Sequence, residues 1–192
     1  MSGVANYADF VLKSGRALVV PVYRGTFERQ QGLTSTWPDQ SVRYAEFLVS
    51  WVRDAKRTID YLETRRDIDA GRLAYLGFSW GGRMGAIIPA VEPRFKTAIL
   101  MSGGLSSGRA RPEVDQLNYV TRVTQPVLML NGKYDAIEPV ETAQRPMFES
   151  LGSPKERKKW VLYDDGHMAP THRNEVAREA LAWLDQYLGP VN

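Results

Sequence analysis

Short apolar runs of strand length recur along this chain with helix-length stretches between them, and this alternation narrows the available folds more than any other feature. The runs are 17–23 (ALVVPVY), 73–78 (LAYLGF), 97–101 (TAILM) and 127–130 (VLML), with a shorter one, WVLY, at 160–163. Runs that are apolar at nearly every position, rather than at every second one, belong to strands buried on both faces, as in a parallel sheet covered by helices. Between the first two runs, Tyr44, Phe47, Leu48, Trp51, Ala55, Ile59 and Leu62 fall at three- and four-residue steps. That spacing predicts one long amphipathic helix over about 41–65. Stretches 80–91, 140–151 and 174–188 supply further helices, so the expected order is β-α-β-α-β, a loop, then β-α-β-α. Pro21 sits inside the first run, although proline favours strand ends and edges.

A length of 192 residues suits one domain with a real core, expected to cover 1–192. The segment 103–125 interrupts the alternation with Gly, Ser, Arg and Pro before a short helical pattern at 114–123, and is expected to form a small cap. Apolar residues make up 43% and charged residues 24%, an ordinary balance for a folded chain. The net charge of +3 comes from 25 basic and 22 acidic residues scattered throughout, so no basic stripe suggests a nucleic-acid partner. Cysteine is absent, which excludes disulfides and thiolate metal ligands and leaves the compartment open. The first residues lack a basic start followed by an apolar core, and no uncharged apolar run has membrane-spanning length; the expectation is a soluble, cytoplasmic protein.

The run 73–78 leads directly into Gly77-Phe78-Ser79-Trp80-Gly81, a G-x-S-x-G pattern with a strand before it and a helix after it. The glycines permit a sharp turn that exposes the serine hydroxyl above the sheet. A serine hydroxyl is a poor nucleophile at neutral pH and needs a base within hydrogen-bond reach, with a third group to orient that base. The chain has two histidines. His167 follows the last strand in the turn Asp164-Asp165-Gly166-His167-Met168, where a loop residue reaches over the carboxyl edge of the sheet, and it is the candidate base. His172, near the start of the last helix, reads as a surface or capping residue. Asp135 follows the run 127–130 in Asn131-Gly132-Lys133-Tyr134-Asp135 and is the candidate acid, with Glu138 in reserve.

The order Ser79, Asp135, His167 is that of the α/β-hydrolase fold. From about residue 10 to 188 the chain resembles the dienelactone-hydrolase and prolyl-oligopeptidase-like branch of that superfamily, through Gly-Phe-Ser-Trp-Gly-Gly, Asn-Gly-Lys-Tyr-Asp and Asp-Gly-His. More narrowly, PVYRGTFER at 21–29 and AYLGFSWGG at 74–82 are similar to hydrolase domains attached to some bacterial serine/threonine kinases, although no kinase motif is present. The resemblance implies an α/β-hydrolase domain with a mostly parallel sheet of about five strands flanked by helices. It implies a serine hydrolase, most simply a carboxylesterase acting on small or medium acyl esters; no cofactor is expected, and two histidines, one already assigned to the triad, make no convincing metal ligand set with acidic residues alone. Peptide or lactone cleavage with the same triad, and a non-catalytic association module, are the alternatives.

The chain departs from the family at its amino terminus. Family members carry three further strands before the one corresponding to 17–23, and the third of these lies between the strands matching 17–23 and 73–78. Residues 7–14 read as the tail of the helix that follows it. Its absence leaves a gap, to be filled either by 17–23 sliding over to pair with 73–78 or by another subunit, so a homo-oligomer through the exposed sheet edge is expected. The family's second oxyanion-hole amide lies on the loop after the absent strand. The Trp80 amide remains as one donor, and Tyr23, by its phenol or its following amide, is the candidate for the other. Arg24 and Arg83 are expected near the site and are candidates to receive a substrate carboxylate, although a surface or structural role is the simpler reading of each.

Overall fold

A computed structural model describes residues 2–30, 32, 33, 35–167 and 170–191. The described residues contain four strands, β1 (Leu73–Phe78), β2 (Phe95–Met101), β3 (Val127–Gly132) and β4 (Lys158–Tyr163), in one sheet ordered β1-β2-β3-β4. Every pairing is parallel, with Leu76 opposite Ile99, Ile99 opposite Leu128 and Leu128 opposite Lys159. The helices are α1 (Ser2–Lys13), α2 (Val42–Glu63), α3 (Trp80–Met84), α4 (Ile88–Val91), α5 (Arg145–Ser150) and α6 (Arg173–Leu188).

The continuous apolar runs are explained by burial on both sides. Leu100, Met129 and Tyr75 face α2, whose buried residues are Tyr44, Phe47, Leu48, Trp51, Ala55, Ile59 and Leu62. The alternate positions Ile99, Met101, Leu128 and Leu130 face Phe10 and Val11 of α1 and Val176, Ala180, Trp183 and Leu184 of α6. β2 and β3 sit centrally and are buried almost throughout, whereas β4, at one edge, leaves Leu162 exposed. Ser41 caps α2 by accepting the Tyr44 N–H at 3.0 Å, which fixes where the helix begins.

Two expectations need correction. The run 17–23 is not a strand and does not slide over to β1, whose one partner among the described residues is β2. Strand composition supplies no ladder without a neighbouring edge to bond to. The segment is held from its ends instead. Arg16 reaches Asp185 and the Gly189 carbonyl on the α6 side at 2.6 and 2.9 Å, and the Trp51 indole N–H donates to the Arg24 carbonyl at 2.8 Å on the α2 side. Between this segment and β1 lies a cleft of about 400 Å³, lined in part by Val11, Leu18, Val19, Leu76 and Leu188. The sheet therefore has four strands rather than about five.

The stretch 103–125 folds as three short 3-10 turns, Pro112–Val114, Gln116–Asn118 and Val120–Arg122, rather than a helix over 114–123, and buries Val114, Val120 and Val123 in the core on the α2 side. The stretch 140–151 opens as one π-helical segment, Val140–Gln144, before α5. Among the described residues no helix is long and apolar enough to cross a membrane.

Candidate active site

Ser79 stands between β1 and α3 with φ 51° and ψ −108°, a left-handed conformation that a side chain adopts only under constraint. The constraint is visible. The Ser79 N–H donates to the Met101 carbonyl at the end of β2, and the Ser79 carbonyl accepts the Arg83 N–H, both at 2.9 Å. Gly77 beneath the elbow has no room for a side chain, since a Cβ there would lie 2.2 Å from the Gly81 carbonyl oxygen. The turn is thus clamped to the sheet on one side and to its own helix on the other.

The other candidates come from successive carboxyl ends of the same parallel sheet. Asp135 follows β3 and is 3% exposed; one of its oxygens, Oδ1, accepts the N–H groups of Ile137 at 2.8 Å and Glu138 at 2.9 Å. Its second oxygen, Oδ2, is 2.7 Å from His167 Nδ1, and His167 Nε2 is 2.8 Å from Ser79 Oγ. Burial alone pushes the Asp135 carboxyl up, but hydrogen bonds from His167 and the two amides outweigh it and hold the group below its ordinary value. An ionised Asp135 accepting from Nδ1 leaves Nε2 free to accept the serine proton, the tautomer that a general base requires.

His167 owes its position to a close approach between loops. A Cβ on Gly132, at the end of β3, would fall 1.9 Å from the Gly166 carbonyl oxygen and 2.6 Å from that of Asp165. Backbone therefore touches backbone directly in front of His167. Gly132→Ala is expected to cost about 1–3 kcal/mol of stability, as other overpacking changes do, and a thermal melt that leaves the midpoint unchanged would contradict this contact. Asp165 braces the same turn by accepting the Thr171 N–H at 2.9 Å and hydroxyl at 2.6 Å. His172 lies 3.5 Å from that carboxylate, with its ring 5.3 Å from that of Tyr163, so it belongs to this brace and not to the group around Ser79. Met168, the last residue of the predicted turn, lies outside the described residues.

Trp80 begins α3, where first-turn amides have no partner inside the helix. Its indole packs edge-on against Trp51 at 4.7 Å and Tyr23 at 5.7 Å. Burial, reinforced by the charge of Asp54, pushes the Tyr23 phenol up to about 12, so it stays protonated. The amide after Tyr23 is already engaged, because Arg24 N–H donates to Asp54 at 2.8 Å. Neither arginine suggested for a substrate carboxylate is free for that task. Arg24 reaches the Ser50 hydroxyl at 3.1 Å and lies over the Phe47 ring, while Arg83 is buried against Glu138 at 3.2 Å and over the Trp37 ring at 4.0 Å.

Glu138 does not share the acid's place. Its backbone turns Asp135, and its own carboxylate points to Arg83. Burial, only partly opposed by Arg83, pushes that carboxyl up to about 7. Sequence patterns do not reveal the Arg83–Glu138 pair, one member on α3 and the other on the loop after β3, with no motif between them; burial of two charges is the signal, and it requires the fold.

Comparison with known proteins places the chain in a family. A PET hydrolase-like family profile matches residues 33–190. "Cutinase est2" of Thermobifida alba is 29% identical over 147 residues, which is 72% of this chain and 45% of that protein. "Bis(hydroxyethyl) terephthalate hydrolase" of Streptomyces coelicolor is 27% identical over 143 residues, 71% of this chain and 42% of that protein. The chain thus spans a little under half the length of these curated relatives. Among solved structures, the "Putative Dienelactone Hydrolase" of Klebsiella pneumoniae superposes with a TM-score of 0.63 at 24% identity, covering 73% of this chain and 62% of the other. The fold is that of the α/β-hydrolases with a shortened sheet, and the chain belongs to the PET hydrolase-like family.

Proposed function

We propose that this chain is a serine carboxylesterase acting on small or medium acyl esters. The observation that supports it most is one imidazole bridging Ser79 at 2.8 Å and Asp135 at 2.7 Å. Ser79 Oγ attacks the ester carbonyl carbon while its proton passes to His167 Nε2, and Asp135 stabilises the resulting imidazolium. The tetrahedral intermediate collapses, the alkoxide leaves with the proton from His167, and an acyl-enzyme remains. Water then attacks with His167 again as base, releasing the acid and restoring Ser79. The Trp80 amide is the oxyanion donor in this reading. With the Arg24 amide held by Asp54, a second donor from Tyr23 has to be the phenol.

The test is hydrolysis of short and medium p-nitrophenyl esters by the wild type and by Ser79→Ala. Activity confined to the wild type supports the reading; equal rates would remove Ser79 from the mechanism and favour a non-catalytic module. A lactone belongs in the same panel, since a structural neighbour is described as a dienelactone hydrolase.

The same reading includes self-association, with a small-molecule ester as the other partner. β1 has β2 as its one strand partner among the described residues, and the segment facing it across the cleft makes no backbone ladder among them. Exposed Val19 and Val191, at 42% and 41%, line the same opening. An unpaired parallel edge beside an apolar cleft invites another chain, and a second copy is the occupant inferred here. Light scattering after size exclusion at micromolar concentration is expected to give twice the chain mass, and Val19→Arg to give a monomer; a monomeric wild type would overturn this association.

A further inference from the structure

Arg83 and Glu138 bury two opposite charges directly beneath the candidate site, with side chains 7% and 2% exposed. Their placement is specific. Arg83 sits on α3 and donates its backbone N–H to Ser79 O at 2.9 Å, and its own carbonyl accepts from Gln116 Nε2 at 2.7 Å. Glu138 lies on the loop after β3; its N–H donates to Asp135 at 2.9 Å, and its carbonyl accepts from Gln144 Nε2 at 2.6 Å. That same Gln144 nitrogen donates to the Gly132 carbonyl at 2.9 Å, closing the loop that carries Asp135. One ionic contact of 3.2 Å therefore joins the element that carries Ser79 to the element that carries Asp135.

The pair is poorly built as a source of stability. Arg83 Nε, Arg83 Nη1 and Glu138 Oε1 have no aligned hydrogen bond, so the charges touch without the full set of bonds that offsets their removal from water. Burial lowers the Arg83 guanidinium from its ordinary value, and the Trp37 face at 4.0 Å is its other close partner. A buried pair of similar volume made from apolar side chains is often as stable or more so. Its placement at the junction of these two elements then points to position.

We propose that Arg83 and Glu138 are positioning residues, an ionic strut that sets the distance between the Ser79 elbow and the Asp135 loop so that His167 meets both. The inference rests on the triad reading above. It assigns the pair no contact with substrate; its effect reaches the reaction through Asp135 and Ser79, and it falls on turnover. Misplacement of catalytic groups by about 1 Å, from a change away from the chemistry, costs up to about 100-fold.

The experiment compares Arg83→Met, Glu138→Gln and the double variant Arg83→Met/Glu138→Leu, read by ester kinetics, thermal melts and the rate of labelling by a fluorophosphonate. Arg83→Met leaves a carboxylate buried alone and is expected to melt lower, with kcat down about 10- to 100-fold and KM within about twofold. The double variant removes both charges, so its midpoint returns towards the wild type while kcat and labelling stay at least about tenfold down. Glu138→Gln keeps the shape and an acceptor oxygen for Arg83, and recovers more of kcat than the double variant does. Return of kcat together with the midpoint in the double variant would overturn the strut and leave a structural pair. A rise in KM alone would likewise overturn it. Failure of the triad reading looks different: Ser79→Ala would then keep its activity and its labelling.

Discussion

Ser79→Ala is expected to abolish nearly all ester hydrolysis while the fold persists. In an enzyme with a complete triad and oxyanion hole, loss of the nucleophile costs about 10⁶ in kcat. In the proposed mechanism the oxyanion donors are the Trp80 amide and the Tyr23 phenol, and a hole with one donor fewer costs about 10²–10³ in kcat. A weaker hole lowers the residual rate of the variant as well, so the ratio of wild type to Ser79→Ala should lie between about 10⁴ and 10⁶. Alanine at this position inherits the same φ of 51° and loses only an oxygen, so the thermal midpoint should barely move. Covalent labelling by a fluorophosphonate, present in the wild type and absent in the variant, is the companion measurement. A residual rate close to the wild type would place the chemistry elsewhere.

Asp135→Asn is the second large effect, and the hydrogen bonds around the carboxylate fix its sign. Oδ1 accepts two backbone N–H groups, from Ile137 and Glu138, so an asparagine there must turn its carbonyl oxygen towards them. Its NH₂ then faces His167 Nδ1 at the place where a carboxylate oxygen now stands 2.7 Å away. A donor facing Nδ1 forces the ring proton onto Nε2, and a protonated Nε2 has no lone pair for the proton of Ser79. The loss expected is about 10⁴ in kcat with KM little changed. Rates measured on the same ester panel check this, and a loss under tenfold would mean that Asp135 does not set the tautomer.

How much of this was legible in the sequence follows from which interactions are local. The seven buried residues of α2 are those that three- and four-residue spacing selects, because a helix fixes its own geometry and needs only to know which face meets the core. β1 begins and ends at the residues the apolar run marks, and the elbow follows from Gly77, Ser79 and Gly81 in turn. Ser79, Asp135 and His167 could be picked out because chemistry restricts the residue types and a parallel sheet presents the carboxyl ends of β1, β3 and β4 on one side. The structure brings these three together. Residues 17–23 were misread because a strand is a relation between two edges, and composition describes one of them. The Arg83–Glu138 contact and the commitment of the Arg24 amide to Asp54 were illegible for a related reason, since each joins elements distant in the chain with no pattern to announce it.

The strand order β1-β2-β3-β4 has a consequence for how the molecule is assembled over time. Each strand lies beside the one made just before it, so its neighbour already exists when it is synthesised, and every crossover closes a loop between neighbours. The elbow is complete once β2 is in place, since the Ser79 N–H is anchored on Met101, and Asp135 arrives with the loop after β3. His167 follows β4 and comes last. On the proposed mechanism, a growing chain carries a serine without its base until β4 has been made, and that base arrives only when the rest of the sheet is there to hold it.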